Sequence, residues 1–393
     1  MGPSILGEVG EYVREVAKLF SSSPPDVVAV VIAGSAAIGF IAALLWKKLT
    51  GKSPRAGGDS ETPNLTTSEA DKRQIENLNS KLARYSNVVA ELEKDDADLW
   101  RLHPPRPPEQ LAERLKASRT KIILVGHLKG GVSKTTLLAN LAAYFDRKGK
   151  SVLAIDFDYQ GSLTATLIRS NKQDVSGPYS DIFLTGKLKP SDLIAYAKSL
   201  HPLLPRTSLI PASYTLVQKE NKAMIQWLLD GSEADVRYHL AELLLSPEVQ
   251  NTYQVVLIDM GPRLTTASIC ALGAATHLLV PTILDPLSAE AVGSFLSQVQ
   301  DLTAELKTGL SKVSVVGTMT RTQEIGGVNE TAVATIAKAL HKWDGDAQML
   351  DRNIPFKQVF IDCAGSDIAM LRNGDVKQLF DELGDEISRR IGL

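Results

Sequence analysis

Residues Lys121–Thr136 read KIILVGHLKGGVSKTT. The first six form a short apolar run rich in β-branched residues, the pattern of a strand buried on both faces of a parallel sheet. The stretch LLANLAAYFDRKG follows the motif and has helical periodicity up to Gly149. Strand, glycine-containing loop, Lys-Thr and helix in that order predict a phosphate-binding loop. Glycines let backbone N–H groups turn inward on an anion, and the helix N-terminus adds its partial positive charge. Lys134 is then placed to reach the β- and γ-phosphates, with the Thr135 hydroxyl available to Mg²⁺.

The generic pattern GxxxxGK[ST] fails at both glycines, because Leu128 holds the first position and Ser133 the second. What remains, Lys129-Gly-Gly-Val-x-Lys134-Thr-Thr136, resembles the deviant Walker A loop of the ParA/MinD family of ATPases. The departure at Ser133 is tolerable only where the local φ is not strongly positive. The resemblance continues in order. Asp156-Phe-Asp158-Tyr-Gln-Gly-Ser162 resembles the family's D-x-D-P-Q-G-N segment, with Tyr159 where Pro is usual. Leu209-Ile-Pro-Ala212 resembles a strand end of the family. Tyr253–Asp259 followed by Met-Gly-Pro262 resembles its Walker B strand, with Gly261 replacing a Pro. Leu278–Pro281, Val313–Thr318 and Ile354–Lys357 supply the later segments, so the likeness runs from Lys121 to the C-terminus.

The resemblance implies ATP and Mg²⁺ as cofactors. It implies binding through Lys129, Gly130, Gly131, Val132, Ser133, Lys134, Thr135 and Thr136, with Thr135, Asp156 and Asp259 near the metal. Lys129 resembles the signature lysine that reaches a partner subunit's phosphates in an ATP-dependent homodimer. Asp158 corresponds to the residue that orients the attacking water. Thr320 and Arg321 follow a strand where the family contacts the base, and Arg263 lies beside the Walker B strand. The implied fold is α/β: a doubly wound, mostly parallel sheet over residues 119–393. An activating protein partner is implied as well.

Upstream, Val27–Trp46 (VVAVVIAGSAAIGFIAALLW) carries no charge. Twenty residues at ~1.5 Å each span about 30 Å, the thickness of a bilayer core, which predicts a transmembrane helix over 26–47. A cleaved signal would be shorter and preceded by basic residues, whereas Glu8, Glu11 and Glu15 come first. Lys47, Lys48, Lys52 and Arg55 follow the run, so the positive-inside rule predicts a single pass through the cell inner membrane with the C-terminal bulk cytoplasmic. Residues 1–25 carry an amphipathic pattern from Ile5 to Phe20. Residues 48–68 read as a flexible linker rich in Gly, Ser, Pro and Thr. Ile75, Leu78, Leu82, Tyr85, Val89 and Leu92 then form a heptad seam within a helical region at 69–118. That seam fits a helix packed on its own domain or a parallel dimer stalk. The run His103–Pro108 (HPPRPP) breaks the helix and reads as a rigid spacer.

The chain has 393 residues, with 43 Lys plus Arg against 45 Asp plus Glu, a net charge of −2 that excludes a globally basic nucleic-acid coat. Two cysteines exclude a disulfide framework. A surface for nucleic acid would have to come from Arg321, Lys357, Arg372 and Lys377. Acidic Glu324, Asp362 and Asp367 lie among them, so a mixed solvated surface is the better reading. The expected function is a membrane-anchored ATP-dependent dimerisation switch that positions or signals to a partner complex. Three alternatives stand beside it. One is a DNA or plasmid partition ATPase. Another is a membrane tyrosine kinase, against which the tyrosine-free ending DELGDEISRRIGL speaks. The last is a non-hydrolysing scaffold, for which Ser133, Tyr159 and Gly261 would be signs of decay.

Overall fold

A computed structural model describes residues 99–230, 235–322 and 329–393, together with Arg73, Asn77, Asn79, Ser80, Ala83 and Ser86, which are helical. The N-terminal amphipathic segment, the apolar run at 26–47, the linker and the heptad positions Ile75 to Leu92 lie outside the described residues. Among the described residues no helix is long and apolar enough to cross a membrane. The chain divides into units Met1–Gln74 and Ile75–Leu393, and the fold below is that of the second.

The strands are β1 (Lys121–Val125), β2 (Val152–Phe157), β3 (Lys198–Leu200), β4 (Leu204–Ile210), β5 (Val255–Met260), β6 (His277–Ile283), β7 (Lys312–Thr320), β8 (Asp346–Met349) and β9 (Ile354–Pro355). They form one sheet in the order β3-β4-β2-β5-β1-β6-β7-β8, with β9 paired to β7. Every pairing is parallel except the edge hairpin β3–β4. The helices are α1 (Leu111–Ala117), α2 (Lys134–Arg147), α3 (Ser162–Ser170), α4 (Pro190–Tyr196), α5 (Thr215–Asp230), α6 (His239–Leu244) and α7 (Pro247–Thr252). They continue as α8 (Thr266–Ala274), α9 (Pro286–Glu305), α10 (Glu330–His341), α11 (Gln358–Cys363), α12 (Ala369–Arg372) and α13 (Gly374–Ile391).

The central strands are apolar at nearly every position because both faces are covered. Ile122 and Leu124 of β1 join Val256, Ile258, Leu278 and Val280 in a core closed by α8 and α9. Ile123 and Val125 join Val255, Leu257 and Leu279 in a second core closed by α2 and α13. The chain leaves β1 through α2 toward β2 and leaves β5 through α8 toward β6, on opposite faces. That reversal opens a crevice at the carboxyl ends of β1, β2 and β5, the usual ligand site of such sheets. Close approach of α13 to α2 requires Gly384, where a Cβ would stand 2.6 Å from the Tyr144 ring. Tyr144 Oη then donates to Asp385 at 2.6 Å.

The prolines at 104–108, expected to act as a spacer, are instead held against the domain. Arg237 is fully buried and gives hydrogen bonds to the Trp100 and Pro104 carbonyls while pairing with Asp235 at 2.6 Å. Its guanidinium lies 4.8 Å from the Trp227 ring centroid, and Trp100 packs on the same ring at 5.1 Å. His103 Nε2 donates to the Leu228 carbonyl at 2.9 Å, and Trp100 Nε1 to the Leu264 carbonyl at 3.3 Å. Proline carbonyls need outside donors when buried. Here the donor comes from a residue more than a hundred positions away, which local pattern does not reveal.

Candidate functional site

The loop between β1 and α2 sits at the crevice. Gly126 N donates to the Leu279 carbonyl at 3.1 Å, so β6 sets the loop's exit from β1. His127 is buried, and its Nδ1 accepts the Lys129 N–H at 3.0 Å. Burial, then the nearby Lys134 charge, lowers the His127 ring to about 4, so it stays neutral and shapes the loop. Thr318 Oγ1 donates to the Val132 carbonyl at 3.3 Å and ties the loop to β7. Gly130 and Gly131 have no atom within 4 Å of where a Cβ would lie, so backbone faces open space there. Ser133 adopts φ 68° and ψ 26°, and its side chain makes no capping bond to α2. The proviso that φ not be strongly positive is therefore not met. This is the left-handed conformation in which glycine, the family's usual residue, carries no steric penalty.

Lys134 is 8% exposed, and its Nζ donates to the carbonyls of His127 and Lys129, each at 3.1 Å. Burial pulls its ammonium below the ordinary value, against the opposing fields of Asp259 and Asp158. Thr135 Oγ1 donates to Asp259 Oδ2 at 2.7 Å. The other oxygen, Asp259 Oδ1, is buried with no hydrogen-bond partner. Burial, then the neighbouring Asp156, pushes the Asp259 carboxyl well above the usual range. An orphaned carboxylate oxygen beside a threonine hydroxyl, within the fields of two further aspartates, fits a divalent cation. Mg²⁺ typically takes one or two protein oxygens and fills its octahedron with water and phosphate. Accordingly, the described residues contain no cluster of three or more His, Cys, Asp or Glu able to hold a metal by themselves.

Asp156, expected near the metal, has both carboxylate oxygens engaged within the protein. Its Oδ1 accepts the Asp158 N–H at 3.0 Å, and its Oδ2 accepts both the N–H and the hydroxyl of Thr164, at 2.8 and 2.7 Å. Burial raises it to about 6 despite those bonds. The carboxylate is thus engaged in holding the turn from β2 into α3, which aims Asp158 at the crevice. Asp158 Oδ1 accepts the Gln160 N–H at 3.0 Å. A Cβ on Gly261 would stand 3.7 Å from Asp158 Cγ, so the Walker B turn passes beside it. Tyr159, in place of the usual proline, is exposed and meets Tyr214 edge-on at 6.1 Å.

These groups border a cavity of about 330 Å³, lined by Gly130 to Thr136, Asn140, Asp158 and, opposite them, Phe360, Cys363 and Asp367. Thr320 and Arg321, expected at the base, do not line it. Thr320 Oγ1 bonds the Thr322 carbonyl at 2.6 Å, so the strand end folds on itself. The wall comes instead from the segment around α11 and α12. Asn140 positions that wall by accepting the Met370 N–H at 2.8 Å while donating to the Thr136 carbonyl at 2.7 Å. The sequence reading missed Asn140, which lies on the loop's own helix.

Lys129 stands apart on the rim. Its Nζ lies 2.5 Å from Ser288 Oγ and 3.9 Å from Asp285, and its side chain is 36% exposed. Asp285 caps α9, accepting the Ser288 N–H at 2.9 Å. The sequence reading missed Asp285 and Ser288; their Asp-Pro-x-Ser pattern signals a helix start, but not a contact with Lys129. Of the cations considered for nucleic acid, Lys357 pairs with Asp375 at 3.3 Å, Lys377 with Asp381 at 3.0 Å, and Arg372 with Asp367.

Comparison with known proteins agrees with this geometry. The model of an AAA domain family matches residues 120–312. The chain is 31% identical over 210 residues to the chromosome-partitioning ATPase Soj of Treponema pallidum, covering 52% of this chain and 74% of that one. It is 30% identical over 202 residues to Soj of Thermus thermophilus, covering 51% and 70%. A Rhizobium rhizogenes protein named for replication is 30% identical over 204 residues, and the match spans half of its length. Among solved structures, apo McdA from Cyanothece superposes with a TM-score of 0.56 at 20% identity, covering 68% of this chain and 99% of that one.

Proposed function

The chain belongs to the ParA/MinD family of P-loop ATPases, and from that premise we propose that it is a membrane-anchored, ATP-dependent dimerisation switch acting on a partner protein complex. The observation that carries the reading is the Thr135–Asp259 bond with its orphaned Oδ1, behind Lys134 and Thr135, which line the cavity. In this reading Lys134 and the N–H groups of Gly130 to Thr136 hold the β- and γ-phosphates. Thr135, and Asp259 through water, hold Mg²⁺, which when bound neutralises charge developing on the transferred phosphoryl group. Asp158, on a turn held by Asp156, orients the attacking water. Lys129, exposed on the rim, leaves Ser288 and Asp285 to reach across a homodimer. Slow hydrolysis opens the dimer. Lys134→Ala should abolish ATP binding. Lys129→Ala should retain binding but lose dimerisation or turnover, and Asp158→Ala should hold an ATP-bound dimer. Hydrolysis at the wild-type rate in the Lys129 variant would overturn the trans-lysine role.

The anchor is the uncharged run from Val27 to Trp46, with the ATPase unit on the cytoplasmic side of the inner membrane. Full-length protein should stay with membranes through high-salt and carbonate washes, whereas a version beginning near Ser68 should not. Release of the intact chain by carbonate would reject the anchor.

A partition role is the second reading, favoured by the name of the Soj relatives. Against it stand the acidic partners of Lys357, Lys377 and Arg372, because phosphate binding draws on uncompensated cations. If Asp158→Ala protein with ATP binds nonspecific duplex DNA at near-physiological salt and releases it with ADP, partition becomes the leading reading.

A further inference from the structure

The turn from β5 into α8, Gly261-Pro-Arg-Leu-Thr265, runs past the site. Gly261 passes beside Asp158, and Pro262 lines the cavity. The carbonyls of a buried turn must find donors. The Arg263 carbonyl accepts the Ser268 hydroxyl at 2.7 Å, and the Thr265 carbonyl accepts the Ile269 N–H at 3.0 Å, so α8 supplies both. Buried Glu220 on α5 braces the same end. Its Oε1 accepts the Ala267 N–H at 3.1 Å, and its carbonyl accepts the Thr266 hydroxyl at 3.0 Å. The Leu264 carbonyl differs from its neighbours, because its donor comes from outside the turn and its helix. That donor is Trp100 Nε1–H, at 3.3 Å and 164 positions upstream.

Trp100 is 1% exposed and fixed from two further sides. Its ring packs on Trp227 at 5.1 Å, and its carbonyl accepts from Arg237 Nη1 at 2.7 Å. Trp227 lies two helical turns after Glu220 on α5, so one face of that helix holds both the tryptophan stack and the end of the turn. Indole offers a single N–H and no acceptor, so a ring held in this way sets the position of the carbonyl it binds. Trp100 also belongs to the stretch by which the chain enters the domain, ahead of Pro104–Pro108 and α1.

We propose that Trp100 is a positioning residue for ATP hydrolysis: its indole N–H holds Leu264, and with it Gly261 and Pro262, in place beside Asp158, and so couples the entering stretch to the catalytic turn. The proposal rests on the ATPase reading above. The bond acts on the turn rather than on the phosphate-binding loop, so its loss should slow turnover and spare nucleotide affinity.

The test uses the full-length chain carrying Trp100→Phe, which keeps an aromatic ring and removes the N–H. Trp227→Phe is the packing control, since it thins the same stack and leaves the Trp100 N–H in place; thermal midpoints check that both variants fold. Amide exchange without nucleotide comes first. Trp100→Phe should speed exchange at residues 261–265 about three- to tenfold relative to α13, the loss of one hydrogen bond, while Trp227→Phe stays within about twofold of wild type. In steady-state hydrolysis, kcat of Trp100→Phe should fall about three- to tenfold with KM for ATP within about twofold. Because coupling is reciprocal, Mg-ATP should change exchange at residues 99–103 by at least about twofold in wild type and not in Trp100→Phe. Equal effects of the two variants, unchanged exchange at 261–265 in Trp100→Phe, a loss confined to KM, or no response of 99–103 to Mg-ATP in a chain that hydrolyses it would overturn the proposal. Absence of hydrolysis by the wild type would instead overturn the ATPase reading, and the exchange without nucleotide would still decide whether Trp100 holds the turn.

Discussion

Replacing Ser133 by glycine tests the most exacting detail of the phosphate-binding loop. Ser133 sits at φ 68° and ψ 26° as the N-cap of α2, yet its hydroxyl makes no capping bond. A left-handed L-residue costs roughly 1–2 kcal/mol in contact between Cβ and the following carbonyl. Glycine removes that cost but frees the unfolded chain, which offsets about 0.4–1 kcal/mol. Ser133→Gly should therefore stabilise the protein by about 0.5–1 kcal/mol. For a domain of this size that raises the thermal midpoint by about 1–4 °C. The assay is urea unfolding of wild type, Ser133→Gly and Ser133→Ala, read as midpoint shifts at constant slope. Alanine keeps the offending Cβ and loses only a hydroxyl without a capping role, so it should stay within about 0.5 kcal/mol of wild type. A glycine variant no more stable than wild type would refute the strain argument. So would an alanine variant that loses more than about 1 kcal/mol, since the hydroxyl would then be supporting the loop.

Asp259→Asn should raise the stability of the nucleotide-free protein, because it replaces a carboxyl whose charged form burial and Asp156 disfavour by a neutral amide, while Mg²⁺-dependent ATP affinity falls; paired unfolding and binding titrations check both arms. Asp156 is raised to about 6, so the folded state holds a proton that the unfolded state releases near 3.8, and its stabilisation is complete below about 4 and lost as pH rises through about 6. The stability advantage of wild type over Asp156→Asn should accordingly shrink from pH 4 to pH 7, and a constant or growing advantage in urea midpoints would contradict it. Arg237→Met should cost about 3–5 kcal/mol, because it leaves Asp235 buried without its partner. Adding Asp235→Leu should recover most of that loss in thermal unfolding.

The order of strands and helices from Lys121 onward was legible in the chain because both signals are local. Fully apolar runs such as Val255–Met260 mark strands buried on two faces, and the periodicity of LLANLAAYF marks α2. Lys134, Thr135 and Asp259 were singled out for the same reason, since the pattern of a phosphate loop is written in consecutive residues and in a strand that ends in aspartate. The tertiary structure alone decided matters that depend on residues far apart. Asp156 and Asp158 stand two positions apart on one turn, and only the contacts from Thr164 distinguish the anchor from the residue facing the cavity. The far wall of the cavity comes from Phe360 to Asp367 rather than from Thr320 and Arg321, because Asn140 draws α12 against α2 across 230 residues. The proline run packs on the domain because a buried arginine, 133 positions from Pro104, supplies the hydrogen bond that the proline carbonyl needs. Propensity and periodicity act over a few residues, whereas burial, charge pairing and backbone satisfaction are settled only when the folded chain brings distant groups together.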